Sequence, residues 1–223
     1  MRLVIWRDFH VCEIVINNYY KPEYRCRACQ IITALEKLGR KCELFDYTKI
    51  DDVIKRVEKR RIEGVLLSGS SAHLRNSENL SNYNAEIEFI QRARVPLLGI
   101  CFGHQLIGKA FGSEIGRFPS FLEGFKGVEI LEPNDLFSSW KKGERILLCE
   151  SHQDFIKNLP KNFTCLARSK DCKIEAMKHN SLPIYGVQAH MERFLAECRD
   201  GLQIFKNFLK NVVDRRFQKQ EVP

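Results

Sequence analysis

Cys101 stands in Gly99-Ile100-Cys101-Phe102-Gly103-His104-Gln105, after the apolar run Pro96-Leu97-Leu98 and ahead of a helix-like stretch. A thiol on a sharp strand-to-helix turn between glycines is a nucleophile elbow, with Cys where Ser is more familiar. Flanking glycines let backbone approach without a Cβ clash, and the N–H dipoles of the following helix favour a thiolate. Downstream, Tyr185-Gly186-Val187-Gln188-Ala189-His190-Met191-Glu192 supplies an imidazole and a carboxylate two residues apart. In an extended segment such residues face the same side. A catalytic His needs a second group to fix its tautomer and steady the imidazolium, and Glu192 can do that. The expected chemistry is nucleophilic catalysis by a Cys101–His190–Glu192 triad.

Positioning these groups requires a framework, and the chain supplies alternating apolar runs and amphipathic stretches. Strands are expected at Leu3 to Trp6, Cys42 to Phe45, Gly64 to Leu67 and Leu97 to Ile100. Helices are expected between them, at Tyr24 to Leu38, Asp51 to Arg61 and Asn82 to Arg94. That alternation predicts an α/β fold: an open, mostly parallel twisted sheet with flanking helices, and Cys101 at the carboxyl edge of an interior strand. Beyond Gly112 the pattern changes to a mixed or antiparallel portion. Phe118 to Gly127 reads as a loop, and Val128 to Leu131, Arg145 to Cys149, Thr164 to Ala167, Ile174 to Met177 and Pro183 to Val187 read as strands. From Arg193 the chain reads as a helix with an apolar stripe, and Gln218 to Pro223 as a frayed end.

The 223 residues suit a single domain, 1–223, with 44% hydrophobic and 29% charged residues. No apolar run is long enough to span a bilayer, and the N-terminus lacks the form of a signal peptide, so a cytoplasmic chain is expected. Nine cysteines, scattered and odd in number, argue against a disulfide framework. The lone Cys26-Arg27-Ala28-Cys29 has no second close pair to complete a zinc site, so no metal is expected. The net charge of +8 is spread over solvated helix faces without aromatic-basic recognition motifs, so no nucleic-acid partner is expected. His104 reads as structural, Cys149 and Cys165 as inert, and His10, His73 and His179 as having no role. His152 and Asp154 read as loop residues that either line a pocket or dock a partner.

From about Gly64 to Glu192 the chain resembles the class I glutamine amidotransferase family. The resemblance rests on Leu98-Gly99-Ile100-Cys101-Phe102-Gly103-His104-Gln105, on Glu150-Ser151-His152-Gln153-Asp154, on Phe111 to Arg117 and on Ile184 to Gln188, and is strongest to the glutaminase part of GMP synthetases. It implies attack of the thiolate on the side-chain amide of glutamine, no cofactor, and a glutamyl thioester that water resolves. It implies oxyanion donors at the backbone of Ser70 and Phe102, and substrate contacts at Gln105, Ser151 and His152. Three departures stand out: Gly69-Ser70-Ser71 where the family has a Gly-Gly-Pro-like loop, Met191 where a Pro separates His from Glu, and a longer, more polar Arg7 to Lys21 stretch, either a lid, a partner contact or an idle loop. The chain lacks a Walker-type loop. Two enzymatic readings follow: a glutaminase feeding ammonia to a separate synthetase subunit, or a stand-alone hydrolase of γ-glutamyl compounds. A weakly active regulatory homologue is the third.

Overall fold

The computed structural model describes residues 12–59 and 62–216. The strand expected at Leu3 to Trp6, His10, Arg60 to Arg61 and the tail from Gln218 lie outside them.

The first described strand, β1 (Cys12–Asn17), lies within the Arg7 to Lys21 stretch expected to be a lid, a partner contact or an idle loop. Its β-branched run Ile14-Val15-Ile16 is fully buried, which places the segment in the sheet. There follow α1 (Arg25–Glu36), β2 (Lys41–Asp46), α2 (Ile50–Glu58), β3 (Gly64–Leu67), the short α3 (Ser77–Ser81), α4 (Asn84–Arg92), β4 (Leu97–Ile100) and α5 (Phe102–Ala110). The second half contributes β5 (Ile115–Ile130), β6 (Arg145–Ile156), β7 (Phe163–Ser169), β8 (Ala176–His179), β9 (Ile184–Val187) and α6 (Asp200–Phe208), which continues as a π-helical turn through Val213.

The nine strands of the described residues form one sheet in the order β2-β1-β3-β4-β9-β8-β7-β5-β6. The first five are parallel and the rest antiparallel. Strands β3, β4 and β9 are buried at every position, as expected of a parallel sheet covered on both faces. On one face Val15, Leu66, Leu98 and Val187 pack with Ile31 and Leu35 of α1 and with Ile204, Phe205 and Phe208 of α6. On the other, Ile14, Ile16, Val65, Leu67 and Leu97 pack with α2, α4 and α5. Cys101 thus leaves the carboxyl end of an interior strand, where open α/β sheets hold ligands.

Three expectations need correction. Phe118 to Gly127 is not a loop but part of β5, paired with β6 as a ribbon whose other edge is joined by β7 only at Val128 to Ile130. Its Pro119 falls in the unpaired register shift between Arg117 and Leu122, so the missing N–H breaks no ladder. His152 and Asp154 lie on β6 rather than in a loop, because that strand runs on to Ile156. The final helix begins at Asp200 rather than Arg193, since Leu195 and Cys198 exchange backbone hydrogen bonds in a tight turn.

Candidate active site

The elbow is built from close packing. Cys101 adopts φ 51° and ψ −100°, a conformation L-residues avoid and strongly held functional turns retain. A Cβ on Gly99 would lie 2.5 Å from the carbonyl of Gly103, and one on Gly103 would lie 2.6 Å from the carbonyl oxygen of Leu67. Only glycine at both positions lets α5 start this close to the sheet. The Cys101 N–H donates to Val187 O at 2.9 Å, which ties the bend to β9.

His190, Met191 and Glu192 lie just past β9. They form a turn rather than the extended segment expected, closed by Arg193 N–H donating to His190 O at 3.2 Å. The imidazole and carboxylate still meet: His190 Nδ1 lies 2.6 Å from Glu192 Oε1. His190 N–H donates to Cys149 O of β6 at 2.8 Å, fixing the turn from below. Met191, standing where the family has Pro, is buried among the residues beneath α6, and Gly201 packs so tightly on it that a Cβ there would lie 2.4 Å from Met191 O. Burial holds this turn in place of a ring constraint.

The electrostatics follow from that geometry. Burial alone would push the His190 imidazole down, but the Glu192 carboxylate and the Cys101 sulfur, a hydrogen-bond partner, hold it up at about 10. Burial would raise Glu192, yet the His190 imidazolium keeps it below the usual carboxylate range. Gln188 Nε2 donates toward Cys101 Sγ at 3.7 Å. The structure therefore gathers Cys101, His190 and Glu192 at one point, with His190 between sulfur and carboxylate.

Above them opens a cleft of about 300 Å³ lined by Ser70, Phe102, Gln105, Ser151 and His152, as well as Cys101 and His190. Ser70 follows β3 and does not need a positive φ: among the described residues the only non-glycines with one are Cys101, Asp135 and Asn162. Gly69 is needed for space, since a Cβ there would come within 2.9 Å of His190 Cε1 and of the Tyr19 hydroxyl. Phe102 is the first residue of α5, so its N–H has no helical acceptor. Gln105 donates from Nε2 to Asp154 O at 2.7 Å. His152 is held by Asp154 O at 2.9 Å from Nδ1 and Glu150 Oε2 at 3.0 Å from Nε2.

Several cleft residues escape a sequence reading. His73, given no role, lines the cleft with Nδ1 2.9 Å from Asp154 Oδ2, and Arg117 reaches the other Asp154 oxygen at 3.2 Å. Tyr19 and Arg27 also face it, brought there by β1 and α1. No spacing rule links these residues, which lie on separate elements; the strand register alone assembles them. His104 is fully buried, with Nε2 3.2 Å from Ile174 O, and burial depresses it to about 3, so it is a neutral packing group.

Residues 27–212 match the family model of the glutamine amidotransferase class-I group. The chain is 39% identical over 181 residues to a subunit of the glutamine-hydrolyzing GMP synthase of Pyrococcus furiosus, covering 81% of this chain and 90% of the relative. It is 36% identical over 196 residues to the protein of the same name from Methanothermobacter thermautotrophicus, covering 87% and 95%. A crystal structure described as a GMP synthase subunit from Thermoplasma acidophilum superposes with TM-score 0.78 at 25% identity, covering 95% of this chain and 98% of that one.

Proposed function

Since the chain belongs to the class I glutamine amidotransferases, we propose that it hydrolyses the side-chain amide of glutamine at Cys101 and passes the ammonia to a separate ATP-using synthetase chain. The observation that carries this reading is the alignment of Cys101, His190 and Glu192 beneath the cleft, with Nδ1 of His190 committed to Glu192 at 2.6 Å. That commitment leaves Nε2 as the proton-handling atom facing sulfur.

The steps follow from those positions. The Cys101 thiolate attacks the amide carbon of glutamine, and the C=O pair moves onto oxygen, where the N–H groups of Ser70 and Phe102 receive the oxyanion. His190 gives its Nε2 proton to the amide nitrogen, the C–N bond breaks and ammonia departs, leaving a glutamyl thioester. Water then loses a proton to His190 as it attacks the thioester, and glutamate leaves with the thiolate restored. Gln105, Ser151 and His152 would hold the amino-acid end of the substrate. The relatives are named as one subunit of a glutamine-hydrolyzing GMP synthase, which supports a separate chain as the ammonia acceptor.

Incubating the pure protein with glutamine, alone and with the ATP-using chain of a GMP synthetase, tests the reading by glutamate and ammonia release. Equimolar release that rises on adding the partner and vanishes in Cys101→Ala is expected. Turnover undiminished in Cys101→Ala would refute the mechanism, and faster turnover of a γ-glutamyl peptide than of glutamine would transfer the site to a stand-alone hydrolase.

A further inference from the structure

Tyr83, in the bend between α3 and α4, is nearly fully buried yet carries a hydroxyl. That hydroxyl donates to Asn18 O at 2.7 Å, so its oxygen is left to accept. Ser70 Oγ lies 3.5 Å away and must then be the donor, while it accepts in turn from Ala72 N–H at 3.1 Å. One directed chain of hydrogen bonds therefore runs from Ala72 through Ser70 and Tyr83 to the end of β1. Asn18 closes the frame: its N–H donates to Ser68 Oγ at 2.9 Å and its side-chain amide to Ser68 O at 3.3 Å. The Tyr83 ring packs on Phe102 with centroids 4.8 Å apart, and on Tyr47 at 4.6 Å.

Tyr83 thus touches both Ser70 and Phe102, which come from different elements and carry the two N–H groups assigned above to the oxyanion. We propose that Tyr83 is the positioning residue of the oxyanion hole, its hydroxyl pinning the Ser70 loop and its ring setting the start of α5; this rests on the glutaminase reading. The pin takes over the stiffening that the Gly69-Ser70-Ser71 loop lacks without a proline. A hydrogen bond that orients a donor acts only where the oxyanion forms, so its loss falls on kcat rather than on substrate affinity.

Tyr83→Phe keeps the ring and removes the pin. It should lower kcat for glutamine about tenfold, well short of the loss for removing a donor outright, with KM changed less than about twofold. Alkylation of Cys101 by iodoacetamide, which builds no oxyanion, should keep its rate. Hydrogen exchange at Gly69 to Ala72 should accelerate while the α5 amides stay protected. Ser70→Ala should match the loss, and the double variant should lose no more than either single one, because both break one chain of bonds. Unchanged kcat and exchange in Tyr83→Phe, equal losses of turnover and alkylation, or additive losses in the double variant would each overturn the proposal. If the wild-type chain turns over no glutamine even with the ATP-using chain present, the glutaminase reading fails, and the exchange measurement still decides whether Tyr83 holds the loop.

Discussion

His190 is held between two groups of opposite consequence. The Glu192 carboxylate fixes the tautomer through Nδ1 and, with the sulfur, raises the imidazole to about 10 against its burial. His190→Ala removes the proton donor and acceptor together and should cut kcat by roughly 10²- to 10⁴-fold. Glu192→Gln keeps an acceptor oxygen at the same place, so the loss should be smaller than that of His190→Ala. It also removes the charge that favours imidazolium, which lowers the His190 pKa. The alkaline limb of the kcat/KM profile must then move to lower pH, because the protonated form that expels ammonia is lost sooner. A pH–rate series on both variants checks this, and an unmoved alkaline limb in Glu192→Gln would remove Glu192 from its assigned role. The meeting of Cys101, His190 and Glu192 was legible from the glycine-flanked elbow and the two-residue spacing, although that spacing closes a turn and not an extended segment. The contacts of Asp154 with His73 and Arg117 were not, since no motif or spacing joins the loop after β3 to β5 and β6.

At the scale of elements, glycines separate fold from site. A Cβ at Gly103 would press on the Leu67 backbone at 2.6 Å, where nothing can turn aside. Gly103→Ala should cost about 1–3 kcal/mol of stability by denaturant unfolding, through overpacking of α5 on β3. A Cβ at Gly69 would instead meet side-chain tips that line the cleft, the His190 ring and the Tyr19 hydroxyl, both 2.9 Å away, rather than backbone. Gly69→Ala should therefore leave the unfolding midpoint close to wild type while lowering kcat at least about tenfold, by displacing the imidazole. Equal destabilisation of the two variants would erase that distinction. Strands β3, β4 and β9 and helices α1, α2 and α4 were readable because buried parallel strands are short apolar runs and their helices keep 3.6-residue spacing, and the half-buried edge strand β2 because Cys42, Leu44 and Phe45 still make a short apolar run. The first half of β5 was not, because a ribbon with one free edge tolerates the Pro119, Gly124 and Gly127 that otherwise mark a loop. The start of α6 was misplaced because Phe194 and Leu195 continue the apolar stripe although Leu195 is 47% exposed.

Among the described residues burial disfavours charge at several carboxyl groups, most strongly at three. Burial raises Glu13 to about 7 despite Arg40, and Glu86 to about 8 despite the neighbouring Asn18 amide. Burial, then the nearby Glu150 carboxylate, raises Glu175 to about 8. Each keeps its proton in the folded chain above the pH at which the unfolded chain, with carboxyls near 4.5, has released it. The unfolded state then binds fewer protons, so stability declines as pH rises from about 4.5 to about 8. His190 and His152, both raised chiefly by carboxylates against burial, act in the same sense: their contribution is complete below the unfolded imidazole pKa and is lost as pH climbs through the folded value. On the acid side the sign reverses. Glu192 is depressed by His190 against burial, and His104 is depressed by burial, so folding there is favoured by rising pH. The thermal midpoint should peak near neutral or mildly acidic pH and fall by at least about 5 °C between about pH 6 and about pH 9. Glu86→Gln leaves a neutral amide of the same shape beside Asn18 and should flatten part of that alkaline fall. Melting curves of both proteins across this range decide the matter: a flat wild-type profile, or an alkaline loss in Glu86→Gln as large as in the wild type, would show that these buried acids do not govern the molecule's response to pH.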